Sequence, residues 1–441
     1  MQTGLLPRLG MILLLFGEQS LSHARSMDGP VPRSSAHRPI SPGIPARLDS
    51  LEPRTPIRGA DLPLIIEKPG PYYLTENILS QSAAILIKVS HVSIDLMGFT
   101  LSVPESSQAA IAAEALLSDI AVRNGTLIGG EYGLRMDIVR NVVISSVVVR
   151  DAGTGIVVGD FGIILNSTVT SCDSVGIRMG SSALVRDSSA LFNRQGIQVG
   201  SNSSIIGMLV SGNDGIGLEV GDGSLVQSSV ISGNEIGLAG GDSVSVLDLV
   251  VENSRQLGIQ VGAGSEVKGC SLHGNKGGIF AGRGAAVLHC SVSDDQATGV
   301  FLHGPGGSVR DSTLENVRTG IRVGDAALVV NNSCREAFLC IQVFGSDNRM
   351  EDNHIVTFDR AIEINGSSNV VSHNTLKAPN VGVRITGSGN FITSNTITLS
   401  SCGLRFVADS GNGYKDNTFL SVPTAVCGPT NVNVGGNISL P

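Results

Sequence analysis

One short phrase, a Gly followed by Ile, Leu or Val, returns every 20 to 22 residues from Gly133 almost to the end of the chain. Fifteen copies keep phase, with Cys340, Ala361 and Ala425 in place of the Gly in three of them. A fixed period of this length is typical of one small structural unit stacked on copies of itself. The sequence therefore predicts a solenoid.

The segment 382–402 shows what one repeat contains. Apolar residues alternate with polar ones over short runs, as at Val383 and Ile385, which is typical of strands with one buried face. Turn-forming residues such as Gly387 and Asn395 separate these runs. About seven residues per side suffice for one short strand and one turn. Each repeat is thus predicted to be a three-stranded coil, and the stack an all-β, single-stranded parallel β-helix.

The predicted β-helix covers residues 61–441 in about 15–17 coils. Residues 61–132 lack the regular phrase and are predicted to form an N-terminal cap and irregular first coils. A leucine-rich repeat has a similar length, but the Leu-rich helical segments that it needs are absent from the sequence.

Stacking turns each position of the repeat into a ladder. The position after the repeat Gly is apolar in every copy and is predicted to point inward: Leu134, Ile156, Ile177, Ile197, Leu218, Leu238, Ile259, Ile279, Val300, Ile321, Ile341, Ile362, Val383, Leu404 and Val426. Two turn positions carry Asn ladders, namely Asn332, Asn353, Asn374, Asn395 and Asn417, and Asn348, Asn369, Asn390 and Asn412. Stacked amides can bond to the next copy and satisfy turn backbone, so these ladders are predicted to be structural rather than sugar-binding.

The segment 369–376, Asn-Val-Val-Ser-His-Asn-Thr-Leu, resembles the right-handed parallel β-helix repeat of pectin-lyase-like proteins. The Gly-Ile-x-Val phrases and the segments 69–75 and 94–100 are similar to the same family, and the resemblance covers residues 61–441. It implies a right-handed β-helix of the carbohydrate-binding or sugar-hydrolase type. It implies no single activity, since the fold hosts lyases, hydrolases, esterases, epimerases and non-catalytic binders.

The first sixty residues differ from the repeats. Arg8 precedes a short apolar stretch and small residues follow at 22–24, which predicts a secretory signal peptide over residues 1–24, too short to span a membrane. Residues 25–60 are rich in Pro, Ser and Arg without periodicity and are predicted to be a disordered linker. The protein is therefore expected to be secreted, into the extracellular space or the periplasm. A net charge of −8 makes nucleic acid a poor partner.

Seven cysteines occur without clustered spacing. Cys270 and Cys290 stand one repeat apart in a turn, Cys334 takes an inward aliphatic position and Cys340 takes the position of the repeat Gly. All are interpreted as small buried residues. A Cys270–Cys290 disulfide is conceivable, but stacked parallel side chains are poorly aimed for it. A metal site built from these two residues with His273 and His289 is disfavoured, because alternation directs the cysteines inward and His289 outward.

The outward position two residues after the repeat Gly is the strongest candidate for a binding site. From the middle of the chain it is a stripe of amides, aromatic rings, guanidinium groups and one carboxylate: Gln260, Phe280, Phe301, Arg322, Gln342, Glu363 and Arg384. Planar amides and guanidinium groups bind hydroxyls, and aromatic faces take the C–H face of a pyranose. The alternative is a solvated face in which Glu363 pairs with Arg384 and a turn covers the two phenylalanines.

A weaker candidate for catalysis is the acidic set Glu219, Asp222 and Asp242, of which Asp222 and Asp242 hold equivalent positions one coil apart. Stacked carboxylates need a cation, a shared proton or solvent, and Ca²⁺ at Asp222 and Asp242 is the one cofactor that the sequence suggests. The signature of a polygalacturonase-like site is incomplete, because Asp294 and Asp295 are present but no Gly-His-Gly or Arg-x-Lys motif is found.

These patterns favour a secreted polysaccharide-recognition protein that binds an extended glycan along the outward stripe and lacks a recognisable catalytic signature. Two alternatives remain open. One is a polysaccharide lyase or glycoside hydrolase of the pectin-lyase-like type, and the other is a structural or adhesin-like surface protein.

Overall fold

The computed structural model describes residues 53–113, 115–408, 410–429 and 431–441. The predicted signal peptide (1–24) and most of the predicted linker (25–60) lie outside these residues. Within them every regular element is a β-strand except one turn of 3₁₀ helix at Gly59–Asp61. The all-β prediction is therefore confirmed. The same residues contain no helix with the length and apolar character needed to cross a membrane.

Each coil places one strand in each of three parallel sheets. We number the sheets in the order in which the chain visits them: sheet 1 contains the repeat Gly, and sheets 2 and 3 follow. Corner 1 joins sheet 1 to sheet 2, corner 2 joins sheet 2 to sheet 3, and corner 3 leads back to sheet 1. Neighbouring strands pair in register, so that Leu218 lies between Ile197 and Leu238. The predicted parallel β-helix, with three strands per coil, is confirmed.

Sheet 1 contains Leu64–Ile66, Ile85–Ile87, Ala109–Ala113, Tyr132–Met136, Thr154–Val158, Val175–Met179, Gln195–Val199, Ile216–Val220, Ile236–Gly240, Leu257–Val261, Gly277–Ala281, Thr298–Leu302, Thr319–Val323, the second halves of Ser333–Val343 and His354–Ile364, Val381–Ile385, Cys402–Phe406 and Thr424–Cys427.

Sheet 2 contains Thr55–Ile57, Gly70–Leu74, Val92–Asp95, the first halves of Ser118–Ile128 and Arg140–Arg150, Ile163–Leu165, Leu184–Arg186, Ser204–Ile206, Leu225–Gln227, Ser245–Leu247, Glu266–Lys268, Ala286–Leu288, Ser308–Arg310, Leu328–Val330, Arg349–Glu351, Val370–Ser372, Phe391–Thr393, Gly413–Lys415 and Val432–Gly435.

Sheet 3 contains Ile78–Leu79, Thr100–Ser102, the second halves of Ser118–Ile128 and Arg140–Arg150, Thr168–Thr170, Ser189–Leu191, Leu209–Ser211, Val230–Ser232, Val250–Glu252, Ser271–His273, Ser291–Ser293, Thr313–Glu315, the first halves of Ser333–Val343 and His354–Ile364, Thr375–Lys377, Thr396–Thr398, Thr418–Leu420 and Ile438–Leu440.

Sheet 1 has eighteen strands within the described ranges, slightly more than the 15–17 coils predicted. The three strands without a Gly phrase are the first three, where apolar and Ala-rich segments take the same place in the coil. The first described strand, Thr55–Ile57, pairs with residues 72–74 and so precedes the start predicted at residue 61.

The core is a long ladder of aliphatic side chains shared between neighbouring coils. The predicted inward position is confirmed, because its members from Leu134 to Leu404 are all at most 2% exposed, and Val426 in the last coil is partly buried. Each fully buried aliphatic side chain contributes about 1.5–3 kcal/mol relative to exposure to water. Because the burial is supplied by the coils above and below, the solenoid needs few aromatic residues.

The predicted asparagine ladders occupy corners 1 and 2 and are buried. In corner 2 the Oδ1 atom of Asn374 accepts the backbone N–H and the side-chain Nδ2–H of Asn353, both at 2.9 Å. Its Nδ2 atom donates to the carbonyls of Met350 and Ser372 and to Oδ1 of Asn395, each at 2.9 Å. All hydrogen-bonding groups of the amide are thereby used inside the protein. The structural interpretation of these asparagines is therefore correct.

Corner 3 carries a further amide ladder that the sequence patterns did not reveal. Its members are buried, and from the N-terminal side they are Asn193, Asn213, Asn234, Ser254, Asn275 and Asp295. Each Asn side chain donates to a carbonyl of sheet 3, as Asn275 does to Val251 at 3.1 Å. Beyond Asp295 the equivalent buried positions hold Val317, Ala337, Thr357 and Ala378, so the amide ladder stops.

The cysteines divide into two groups. Cys172, Cys270 and Cys290 are buried free thiols, as predicted for small core residues. The interpretation of Cys334 and Cys340 as mere filler was wrong, because they form a disulfide across corner 3, with Cα atoms 6.1 Å apart. A second disulfide joins Cys402 to Cys427. Alternation places Cys334 and Cys340 inward correctly, but it cannot show that a corner brings them together.

Candidate functional site

A cleft of about 370 Å³ lies on the outer face of sheet 1, along the edge that meets corner 3. It crosses four coils. Its lining residues are Ala297, Thr298, Arg318, Thr319, Arg322, Phe338, Leu339, Gln342, Arg360 and Glu363. Three of these, Arg322, Gln342 and Glu363, belong to the predicted stripe. Below, these ten residues are called the main cleft.

The main cleft lies where corner 3 departs from its regular form. The chain there runs without a break from sheet 3 into sheet 1 in Ser333–Val343 and His354–Ile364, and the pairing between the two strands shifts around Ala337. In this irregular segment Phe338 is 51% exposed and forms one wall of the cleft. Inside the same corner, the Cys334–Cys340 disulfide joins the two ends of this segment. This disulfide lies in the part of corner 3 that has no amide ladder.

Arg322 is held between two aromatic rings. Its guanidinium carbon lies 4.8 Å from the ring centre of Phe301 and 4.2 Å from that of Phe344. Its Nε atom is buried without a hydrogen-bond partner among the described residues. Stacking of this kind fixes the plane of the guanidinium group. Arg322 is thus a pre-positioned cation in the cleft.

Glu363 forms the floor of the cleft between two arginines. Its Oε2 atom accepts a hydrogen bond from Nη1 of Arg360 at 2.7 Å, and its Oε1 atom accepts one from Nη1 of Arg384 at 2.8 Å. The carboxylate is 8% exposed, and Arg360 also pairs with Asp359 at 2.9 Å. The pairing predicted between Glu363 and Arg384 is confirmed. A carboxylate that accepts a hydrogen bond from each of two arginines fixes the orientation of both.

Phe280 and Phe301 lie next to the main cleft as an edge-to-face pair, with ring centres 5.1 Å apart. His303 stacks on Phe280 at 5.4 Å and covers part of its surface. Both phenylalanines are therefore half-buried rather than freely exposed. Phe301 takes part in the site as the lower ring beneath Arg322, whereas Phe280 supports Phe301 from the side.

The structure brings together only part of the predicted stripe. Arg322, Gln342 and Glu363 line the cleft, Arg384 reaches it through Glu363, and Gln260 lies outside it. The groups that the sequence patterns missed are Arg318, Phe338, Arg360, Phe344 and His303. The last two follow the stripe by two residues, so continued alternation would have found them, whereas the first three lie at the corner edge, where no strand period applies.

The acidic set does not form one site. Glu219 lies on sheet 1, while Asp222 and Asp242 lie in corner 1, one coil apart as predicted. Oδ1 of Asp222 accepts the backbone N–H of Asp242 at 2.8 Å, and Oδ1 of Asp242 accepts that of Ala263 at 2.7 Å. Each carboxylate thus serves as an acceptor for the next coil. Across the described ranges, no three His, Cys, Asp or Glu side chains gather as a metal-binding group.

Asp295 ends the corner 3 amide ladder as a buried carboxyl group, 1% exposed. Its Oδ1 atom accepts the backbone N–H of Asn275 at 2.8 Å, but its Oδ2 atom has no hydrogen-bond partner in the described chain. Burial raises the pKa of this carboxyl from 3.8 to about 6, and the Asn275 hydrogen bonds and nearby His273 oppose the shift only in part. Asp295 is followed two residues later by Ala297, which lines the main cleft.

Replacing Asp295 with asparagine is expected to stabilise the protein at neutral pH. Because the folded pKa lies above the ordinary value, the favourable contribution of the protonated acid is complete below about pH 4 and is lost as the pH rises through 6. The loss amounts to at most about 3 kcal/mol. Asparagine cannot ionise, and its amide would donate to the carbonyl of Leu272, as the other ladder members do to theirs.

Urea unfolding of the wild type and of Asp295→Asn between pH 4 and 8 measures this effect. We expect the difference in unfolding free energy to be small at pH 4 and to reach a plateau above pH 7. A difference that stays constant over this range would mean that Asp295 does not titrate as a buried acid. The exposed neighbour Asp294→Asn is the matched control.

The sequence matches the family described as the right-handed beta helix region over residues 112–285 and 257–397. The chain therefore belongs to the right-handed β-helix family. This agrees with the resemblance and with the handedness expected from it. No curated protein matches the chain.

Several solved structures are similar to this chain at low identity. The Dettilon tailspike protein gp208 shares 13% identity over 64% of this chain and 60% of its own length, with a TM-score of 0.28. The A-module of mannuronan C-5 epimerase AlgE4 from Azotobacter vinelandii shares 15% over 83% and 91%, with a TM-score of 0.27. PfbA, a surface adhesin of Streptococcus pneumoniae, shares 11% over 77% and 86%, with a TM-score of 0.27. At these values no function is transferred from any of them.

Proposed function

We propose that this protein is a secreted β-helix that binds an extended, acidic polysaccharide in the main cleft on sheet 1. The observation that carries the proposal is Arg322, a cation held between two phenyl rings at the centre of a cleft with further polar groups. Guanidinium groups bind carboxylates in a bidentate manner, and aromatic walls take the apolar face of a sugar.

The charge of the main cleft favours an anionic ligand. Its lining contains Arg318, Arg322 and Arg360 against the single carboxylate of Glu363. Including the flanking partners Asp359 and Arg384 adds one charge of each sign, so the local excess remains two positive charges. The chain as a whole carries a net charge of −8, so the positive excess is a local property of the cleft. A carboxylate-bearing sugar would complement it.

The geometry of sheet 1 favours a polysaccharide ligand over a single sugar. The main cleft crosses four coils, which at about 4.8 Å per coil gives a floor roughly 15–20 Å long. Successive coils offer Arg322, Gln342 and Glu363 at equivalent positions, so neighbouring sugars of an extended polymer would meet neighbouring side chains.

Binding of hexagalacturonate and hexamannuronate to the full chain, measured by calorimetry, tests the proposal. We expect affinity for at least one of them, weakening as salt is raised because the contacts are electrostatic. The double variant Phe280→Ala with Phe301→Ala should lower the affinity about tenfold, because Arg322 loses the ring beneath it. Folding should persist, since the core is held by the adjacent inward residues Ile279 and Val300.

Two results would contradict this proposal. If neither hexauronate binds, the main cleft is not the proposed site for an acidic glycan. Turnover of the bound chain, followed by reducing ends and by the ultraviolet absorbance of unsaturated products, would replace the binding function by that of a polysaccharide lyase or hydrolase.

A further inference from the structure

A second polar region lies on sheet 1 nearer the N-terminus, around Glu219. Two hollows flank this residue. One, of about 300 Å³, lies on the corner 1 side and includes Arg178 and Gln198 in its lining. The other, of about 430 Å³, lies on the corner 3 side and includes Arg194, Gln195 and Glu235. The main cleft begins more than three coils further along the same sheet.

Two glutamine amides fix the carboxylate of Glu219. Its Oε2 atom accepts a hydrogen bond from Nε2 of Gln195 at 3.0 Å and another from Nε2 of Gln198 at 3.1 Å. Its Oε1 atom accepts no hydrogen bond from any described residue. Because the amides also keep their own carbonyl oxygens and second N–H groups, donors and acceptors converge at one place on a flat sheet. Vicinal hydroxyl groups of a sugar require this combination.

The charge of this region differs from that of the main cleft. The lining of the two hollows contains Arg178 and Arg194 against Glu219 and Glu235, so the formal charges cancel. Glu235 is further satisfied by a hydrogen bond from Gln256 in the next coil. A balanced set of this kind offers no advantage to a charged ligand and suits a neutral, hydroxyl-rich one.

Phe192 supplies an exposed aromatic face two residues before Arg194. Its ring lies against Gly212 in the next coil, where the Cβ of any other residue would come within 2.7 Å of the ring carbons. The side chain is 67% exposed, so the opposite face of the ring is open to solvent. An exposed aromatic ring can take the C–H face of a pyranose.

We propose that Phe192, Arg194, Gln195, Gln198, Glu219 and Glu235 form a second carbohydrate site, which binds a neutral hexopyranose chain. Glu219 and the two glutamines bind the hydroxyl groups, and Phe192 stacks on a neighbouring sugar. An extended chain suits this site, because neighbouring coils present neighbouring side chains about 4.8 Å apart. This site does not depend on the function proposed for the main cleft.

Calorimetric titration of the full chain with cellohexaose and mannohexaose tests the second site. We expect at least one to bind. Glu219→Gln should lower its association constant tenfold or more, since the carboxylate is lost as an acceptor while the shape is kept. Phe192→Ala should lower it about three- to tenfold. Glu315→Gln, an exposed acid on sheet 3, is the control that should bind as the wild type does.

The outcomes separate this proposal from the previous one. Failure of both neutral hexasaccharides to bind, or wild-type affinity in Phe192→Ala, would overturn the second site whatever the uronates do. Displacement of a bound neutral hexasaccharide by a hexauronate with loss of both in Arg322→Ala would also overturn it, by showing one shared site. Because Phe192 is exposed, its variant keeps the test decisive even if Glu219→Gln folds poorly.

Discussion

Replacing Arg322 with alanine is expected to weaken the binding of a hexauronate by about 10- to 100-fold. The substitution removes the cation that Phe301 and Phe344 hold in place at the centre of the main cleft. Charge-assisted hydrogen bonds to a carboxylate are about twice as strong as neutral ones, which is why the loss should be large. Calorimetry at low and moderate salt measures it.

The matched control is Arg405→Ala, on the same outward ladder four coils further along. Arg405 is exposed and lies outside the cleft lining, so its removal changes the net charge equally without touching the site. Arg322→Lys should recover only part of the affinity, because an ammonium group cannot stack as a plane between two rings. Equal weakening in the Arg322 and Arg405 alanine variants would reduce the effect to general electrostatics.

Replacing Asn374 with alanine is expected to destabilise the solenoid on the order of 4 kcal/mol. The amide is buried and takes part in five hydrogen bonds, so its loss leaves backbone groups at Asn353 and Met350 without partners. Urea unfolding measures the cost, and hydrogen exchange should show faster opening at the Asn353 amide than in distant coils.

Asn380→Ala is the control for the ladder variant. This asparagine lies exposed near corner 3 and bonds by its side chain to Asp359. Its loss should cost less than about 1 kcal/mol, as exposed polar contacts usually do. Equal destabilisation in both variants would show that the buried ladder amide contributes no more to stability than an exposed polar contact does.

The regular part of this fold follows from the sequence because every coil repeats the same physical demands. Alternation gave the inward ladder through Leu404, and turn chemistry gave the buried amides such as Asn374. The corner 3 ladder escaped notice because its spacing from the repeat Gly varies: Asn193 lies three residues before Gly196, whereas Asn213 lies four before Gly217. A position that shifts by one residue from coil to coil leaves no fixed period.

The main cleft was only half visible in the sequence. Arg322 and Glu363 follow the strand period and were therefore in the predicted stripe. Arg318, Phe338 and Arg360 come from the corner edge, where a shift in strand pairing decides which side chains face the cleft. Such a shift depends on contacts between coils, so no local sequence pattern predicts it. One clue was present, since the cleft lies where the buried amides of corner 3 give way to apolar residues.

The in-register stacking of the coils on sheet 1 has a consequence for how ligands are spaced. Glu219 and Glu363 stand on one ladder, seven steps apart, which corresponds to about 34 Å. Because the residues of this ladder on sheet 1 pair in register from one coil to the next, this distance can change only by the gain or loss of a whole coil. A duplicated or deleted repeat between them would move one bound chain past the other by about one sugar, with both clefts intact. The number of coils between the two sites therefore fixes the distance between the two bound ligands.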